Sequence, residues 1–315
     1  MVRIYHKEGK QIRKENDVRE LTALRSILWI DLQSASKEEE EWVESKCDVS
    51  FQTPQEIVEI ESSARFFEQN NTLNANSNFL NLNGEGFTPY PVSFLLKNQT
   101  LFTYRRGDSK TFADTVKRMK VTGDETFQSG VDLFLLLFET RIEADADAFE
   151  AIGREITTIS KTLTKEQKPR QELLLKINTL QENTMLLRES IIDKQRVLSG
   201  VQRSALFPDD HREHLRIILK DIGSLLEYST FSFERLEYLQ DTFMGLINLE
   251  QNQIIRIFTV VTIMFLPPTL IAGIFGMNYA VLPTSALTYG FWLALLLMLF
   301  SSLGVLWWFR RKHWI

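Results

Sequence analysis

The spacing of apolar positions changes character along the chain. In the first part they come in short runs, SILWIDL (Ser26 to Leu32), FLNLN, VSFLLKN and TLFTYRR, and runs of this kind predict strands. Ser36 followed by Glu39 is a capping-box signal for a helix through Trp42 and Val43, and a second helix is expected around Pro54 to Ala64. Together these elements make an α/β (or α+β) domain over residues 1–130. Its strand order does not follow from the pattern.

Beyond it the period becomes three and four. Phe149, Ile152, Ile156, Ile159 and Leu163 form one seam. Leu173, Ile177, Leu180, Thr184, Leu187 and Ile191 form another, after a break near Pro169. Two narrow seams predict an antiparallel helical hairpin, residues 131–208, lying along a third helix. That helix starts near Asp210 and repeats at Leu215, Leu219, Ile222, Leu226, Leu236, Leu239, Phe243 and Leu246, with no proline before Pro267. We read residues 209–256 as a stalk that runs on without a break, to roughly 100 Å at ~1.5 Å per residue. An uncapped pattern of this length signals a coiled coil or a membrane span, and here both. Long apolar stripes need a partner, and self-association is the simplest source.

No charged residue occurs from Ile257 to Phe309. Within that gap IFTVVTIMFLPPTLIAGIF (Ile257–Phe275) and GFWLALLLMLFSSLGVLWWF (Gly290–Phe309) are each long enough to cross a hydrocarbon core of about 30 Å. Trp292, Trp307 and Trp308 lie near the ends of the second segment, where indoles favour the membrane interface. Arg256 precedes the first span, Arg310, Arg311 and Lys312 follow the second, and Tyr279 to Tyr289 between them carry no charge. The positive-inside rule puts both termini in the cytoplasm. The chain then divides into a first span (257–278), an external loop (279–289), a second span (290–309) and a basic tail (310–315). The competing reading, two core helices of a soluble protein, is the weaker.

The first span is patterned. Asn252, Ile255, Thr259, Thr262, Leu266, Thr269 and Gly273 recur every 3.5 residues, the period of a left-handed bundle. This face is polar or small, while the others hold Val260, Ile263, Phe265, Leu270, Ile271 and Ile274. Such a stripe serves either as helix-packing glue or as the wall of an aqueous path, and spacing alone does not choose. Pro267 and Pro268 remove two amide donors and free the carbonyls of Ile263 and Met264, which predicts a kink and a helix packed against partners.

Composition adds mostly exclusions. Charged residues make up 24% and the net charge is −5, with acids and bases mixed and no basic stripe for nucleic acid. Cys47 is the single cysteine, so no intrachain disulfide or thiolate cluster forms. MVRIYHKEGKQIRKEN has no apolar stretch that would serve as a signal peptide. Asp209, Asp210, His211, Glu213 and His214 are the densest set of candidate metal ligands, with His211 and His214 at i and i+3. Acids at a helix start are also ordinary dipole complements, as the run Glu38 to Glu41 is an ordinary solvated face. No nucleophile elbow, P-loop, dinucleotide fingerprint or HExxH occurs, so an enzymatic reading has no support.

LINLEQNQIIRIFTVVTIMFLPPTLIAGIFGMNY (Leu246 to Tyr279) closely resembles the CorA family of magnesium and cobalt transporters, whose signature is Gly-Met-Asn after the first span. The terminal WFRRKHWI is similar to that family's basic, aromatic C-terminus. The resemblance covers the C-terminal third well and the soluble part in outline. It implies a homopentameric funnel in the inner membrane, with an α/β cytoplasmic domain, hairpin helices and long helices surrounding a central pore. The polar stripe becomes a pore wall. Gly276, Met277 and Asn278 map onto the external mouth, Thr269 and Gly273 lie further in, and Ile255, Phe258 and Leu266 form an apolar constriction able to gate by dewetting. Phe258 lies beside the 3.5-residue line, and Arg310, Arg311 and Lys312 form a basic ring. The implied substrate is Mg²⁺, with Co²⁺ and Ni²⁺ as further candidates, and cytoplasmic Mg²⁺ is the implied regulatory ligand. No cofactor is implied. The membrane potential supplies ~2.3 kcal/mol per charge per 100 mV, twice that for a divalent ion. One departure matters. Where many members carry acids in the external loop, this chain has Ala280 and Leu282-Pro283-Thr284-Ser285. The mouth lacks that electrostatic lure. The zinc-transporting branch of the superfamily is therefore an alternative, and a non-transporting membrane-anchored sensor is another.

Overall fold

The structure, a computed structural model, describes residues 1–9, 11–17, 19, 26–52, 65–84, 86–122, 126–166, 170–277 and 289–312. The helix expected over Pro54 to Ala64 lies outside these, as do Asn278 and most of the loop that follows it. The chain forms two compact units. One comprises Met1–Lys165 with Arg170–Gln240, and the other includes Asp241–Ile315.

The first unit is built on a sheet that has seven strands among the described residues: β1 (Val2–Glu8), β2 (Gln11–Glu15), β3 (Ile27–Gln33), β4 (Phe66–Gln69), β5 (Thr72–Asn83), β6 (Gly86–Lys97) and β7 (Thr100–Arg105). Their order is β2-β1-β3-β7-β6-β5-β4, and every pairing is antiparallel except β3 with β7. Two-residue turns join β4 to β5 and β6 to β7. Asn70, Asn71, Asn98 and Gln99 have φ of 50°, 57°, 49° and 66° there, the left-handed pair that matches strand twist and that asparagine tolerates best.

Strand alternation sorts the side chains into two layers. Ile30, Leu32, Leu95 and Phe102 pack with Val43 of helix α1 (Lys37–Cys47) and with Val49 and Phe51. The expected capping box is present: the Ser36 hydroxyl accepts from the Glu39 amide, and the Ser36 amide donates to Glu39 Oε2 at 2.9 Å. On the opposite face an aromatic cluster joins the sheet to α2 (Lys110–Thr122) and α3 (Gly130–Glu166). Phe94 and Phe134 stand 5.0 and 4.8 Å from Phe138, and Trp29 stands 6.0 Å from Phe112.

Gly130 explains how α3 begins. Its amide donates to Gln99 O at 2.5 Å, and a Cβ there would stand 2.7 Å from Leu28 O and strike the Leu101 amide nitrogen. Only glycine lets the helix start this close to two strands. From it α3 continues, α4 (Gln171–Arg203) returns, and a 3₁₀ turn (Asp209–His211) leads into α5 (Arg212–Phe275). The seam residues Phe149, Ile152, Ile156, Ile177, Leu187, Ile191, Leu215 and Ile222 are buried. Polar bonds tie the three helices: Arg188 to Ser229 Oγ at 2.8 Å, Arg235 to Thr157 Oγ1 at 3.1 Å, and Gln181 to Gln240 at 3.0 Å.

The second unit contains α5 from Asp241 and helix α6 (Gly290–Arg311). Both helices have segments long and apolar enough to cross a membrane.

Candidate functional site

The site starts from the geometry of two helices in the second unit. Gly290, Ala294 and Phe309 of α6 are buried, with Met298, Ser301, Ser302 and Val305 half-buried between them. Small residues at Gly290 and Ala294 allow close helix approach. On α5 beyond Glu250 the half-buried positions are Val260, Met264, Pro267, Pro268, Ile271 and Phe275. The two half-covered faces meet, and Ser302 marks the contact by donating to Met264 O at 3.3 Å.

That bond answers the chemistry of the double proline. Pro268 has no amide for the carbonyl four residues back, so Met264 O loses its helical partner. The Ser302 hydroxyl supplies one from the neighbouring helix. The helix remains continuous through both prolines. Sequence reading located the freed carbonyl but not its partner, since a lone Ser-Ser pair in an apolar run carries no address.

The polar stripe lies on the other side. Met264, which faces α6, is about 200° around the helix from Thr262. Asn252, Ile255, Phe258, Thr259, Thr262, Leu266, Thr269 and Gly273 are all exposed in the single chain. Phe258, placed beside the 3.5-residue line, is as bare as the residues on it, at 68%. A recess along this side is lined by Thr262, Leu266, Thr269, Gly273 and Met277 together with the apolar Phe265, Leu270 and Ile274. Gly276 follows directly on the helix, its amide bonded to Ala272 O at 2.9 Å.

The hydroxyls on this face have a common orientation. Thr259, Thr262 and Thr269 each donate to the carbonyl four residues back, at 2.8, 2.8 and 2.7 Å. The proton is thus spent inside the helix, and the oxygen's remaining lone pairs point away from it. A row of neutral acceptors results, suited to receive hydrogen bonds from water or to meet a cation directly.

The candidate metal ligands at the stalk start do not come together. Asp209 pairs with Arg212 at 2.6 Å, Glu213 with Arg216 at 2.7 Å, and His211 Nε2 with Asp132 Oδ1 at 2.8 Å, while His214 stands 3.7 Å from Glu139. Asp210 joins none of them. Among the described residues no group of three or more His, Cys, Asp or Glu is placed to hold a metal ion. The reason is local: His211 ends a 3₁₀ turn and His214 belongs to the α-helix, so the i, i+3 alignment of one helix does not apply. Asp132 instead holds the start of α3. Its burial pushes the carboxyl pKa up, but hydrogen bonds from His211 and from the Gln128 and Ser129 amides outweigh this and leave it below the usual 3.8.

The fold and the stripe define a class, the two-span membrane proteins with a large α/β domain and a bare polar face on the first span. The comparisons with known proteins narrow it. Residues 25–311 match the family described as CorA-like Mg²⁺ transporter protein, and the chain belongs to that family. It is 34% identical to the magnesium transport protein CorA of Wolinella succinogenes over the whole of both chains. It is likewise 34% identical to that of Campylobacter jejuni over 92% of each. Its fold matches the complete CorA magnesium transporter of Methanocaldococcus jannaschii with a TM-score of 0.83, covering 100% of this chain and 99% of that one at 22% identity.

Proposed function

We propose that the chain is a Mg²⁺ channel of the inner membrane, a homopentamer in which five copies of α5 present their polar stripes to a common axis. Both termini lie in the cytoplasm, where the basic tail belongs by the positive-inside rule. The observation that carries this is the bare stripe. α6 covers the opposite side of α5 and leaves a line of threonine oxygens with their protons turned inward.

The chemistry suits magnesium. A small ion that gives up water reluctantly is best met by neutral oxygens able to bind its hydration shell. Asn278 at the mouth and Thr269 within would do this in turn. Ile255, Phe258 and Leu266 supply apolar rings between them and the cytoplasm, where dewetting closes the path without any moving plug. Inside-negative potential drives the ion inward, so no nucleotide site is required. In the first unit Ile217, Phe231 and Tyr238, spaced by multiples of seven, are 51%, 54% and 69% exposed, an apolar ridge that a neighbouring copy would cover. Closure by cytoplasmic Mg²⁺ would be a population shift in which the ion bridges carboxylates that otherwise repel.

Substituting Asn278 by Ala in a liposome uptake assay is expected to abolish saturable Mg²⁺ transport, and unchanged uptake would sink the assignment. The absence of acids in the external segment favours one second reading, zinc as the preferred ion. Zn²⁺ and Mg²⁺ flux compared in the same liposomes decides between them. A sensor without transport predicts instead that cysteines along Thr259, Thr262, Thr269 and Gly273 stay closed to a water-soluble thiol reagent.

A further inference from the structure

The sequence has no acid after Glu250, yet it carries Arg256, Arg310, Arg311 and Lys312. All four are exposed, and among the described residues no ion pair reaches any of them. With four cations and no acid in this stretch of sequence, this end of the second unit is an uncompensated cationic patch.

The patch has shape as well as charge. Arg256 of α5 and Lys312 after α6 line one recess, brought to it by two different helices. Its volume, about 1290 Å³, exceeds the ~300–1,000 Å³ of a usual small-molecule pocket. The wall combines amides (Asn252, Gln253) with apolar surface (Leu249, Ile257, Val260). Next to it Trp307 and Trp308 are exposed, and the Arg311 guanidinium lies over the Trp307 ring at 5.4 Å. Cations, amide donors, an apolar floor and indoles together form an amphipathic cleft at the end of two spans.

We infer that this recess binds the phosphate headgroup of an anionic phospholipid, held between Arg256 and Lys312 with Arg310 and Arg311 at the rim. The apolar floor favours a lipid over a soluble phosphate, since it offers the first carbons of the acyl chains a dry surface, and basic clefts between spans on the cytoplasmic side suit such heads. The site also has a use. Asn252, Ile255 and Thr259 of the proposed pore face line the same recess, so its bare cations stand beside the path of a divalent cation. A bound phosphodiester would cancel charge that otherwise opposes passage. That consequence rests on the proposed conduction; the binding does not.

The test uses the full-length protein in mixed micelles of phosphatidylglycerol and phosphatidylcholine, with retained lipid read by native mass spectrometry. Wild type is expected to keep phosphatidylglycerol in preference. The double variant Arg256→Gln with Lys312→Gln should lose that preference about thirty-fold, each basic residue contributing about five-fold. Arg256→Lys should restore most of the loss, and thermal unfolding in the same detergent shows whether each variant is folded. If the double variant fails to fold, Lys312→Gln alone should still weaken retention about five-fold. Equal retention by wild type and the folded variants would overturn the inference, as would equal retention of phosphatidylcholine. Displacement of the lipid by millimolar inorganic phosphate would reassign the site to a free anion. Because the readout is bound lipid, its failure leaves the Mg²⁺ flux result standing.

Discussion

The two units treat polarity in opposite ways. In the first, charges go inside and are paired there. Asp31 on β3 takes a two-pronged contact from Arg105 on β7 at 2.9 and 2.9 Å, with Thr103 and Arg3 completing its shell. Asp145 of α3 sits between Arg141 and Lys194, whose Nζ is 3.1 Å away, and Arg65 meets Asp193 at 3.0 Å. Burial pulls the Lys194 pKa below its usual value, and Asp145 opposes that pull. In the second unit, beyond Glu250, there is no acid, and within the apolar helices the hydroxyls of Thr259, Thr262, Thr269 and Ser302 are satisfied by their own helix or by the neighbouring one. A charge buried in the first unit fixes a register between elements. A neutral oxygen left bare in the second is available to something outside the chain.

The largest break in this contrast is expected from Asp31→Ala. It strands Arg105 in the sheet and should cost about 3–5 kcal/mol in denaturant unfolding of the full chain, because an unpartnered buried charge remains. A loss below about 1 kcal/mol would mean that hydrophobic packing, not the ion pair, holds β3 to β7. Thr269→Val keeps the shape and removes the oxygen. Saturable Mg²⁺ flux should fall about tenfold, equivalent to ~1.4 kcal/mol, with stability changed by less than about 0.5 kcal/mol. Undiminished flux with reduced stability would instead make the stripe packing glue.

Ser302→Ala should cost about 1 kcal/mol in thermal unfolding, the worth of one hydrogen bond to an otherwise orphaned carbonyl. No loss would show that Met264 O finds another donor. The smallest effect is that of pH on Asp132. Its folded pKa is held below 3.8, so its contribution is complete above 3.8 and disappears as pH falls through the lowered value. Acid titration of helicity should therefore show a shallower loss below pH 3.8 in Asp132→Asn than in wild type, and identical slopes would remove this carboxylate from the acid response.

Much of the first unit's local structure was readable because it rests on near neighbours in the chain. Ser36 and Glu39 cap α1, and the run SILWIDL overlaps β3, Ile27–Gln33. What escaped were β1, β2, β4 and α2, which carry neither a long apolar run nor a capping box. Escaping too were the buried pairs, since Asp31 and Arg105 are remote in sequence and joined only where β3 and β7 run parallel. An acid inside ILWIDL was the one available signal. The stalk histidines show the reverse case. Spacing alone aligned them, and a 3₁₀ turn followed by an α-helix separated them.

In the second unit, composition alone marked two helices long and apolar enough to cross a membrane, because an uncharged segment of that length matches the hydrocarbon core. The 3.5-residue period likewise set out the stripe and its chemistry. Periodicity, however, names a face without saying what lies against it. That α6 covers Met264 and the prolines while Thr259, Thr262 and Thr269 stay bare, and that Ser302 answers Met264 O, was decided only by tertiary structure. The physical reason is that a side chain's partner depends on which helix arrives beside it, and no local pattern encodes an arrival.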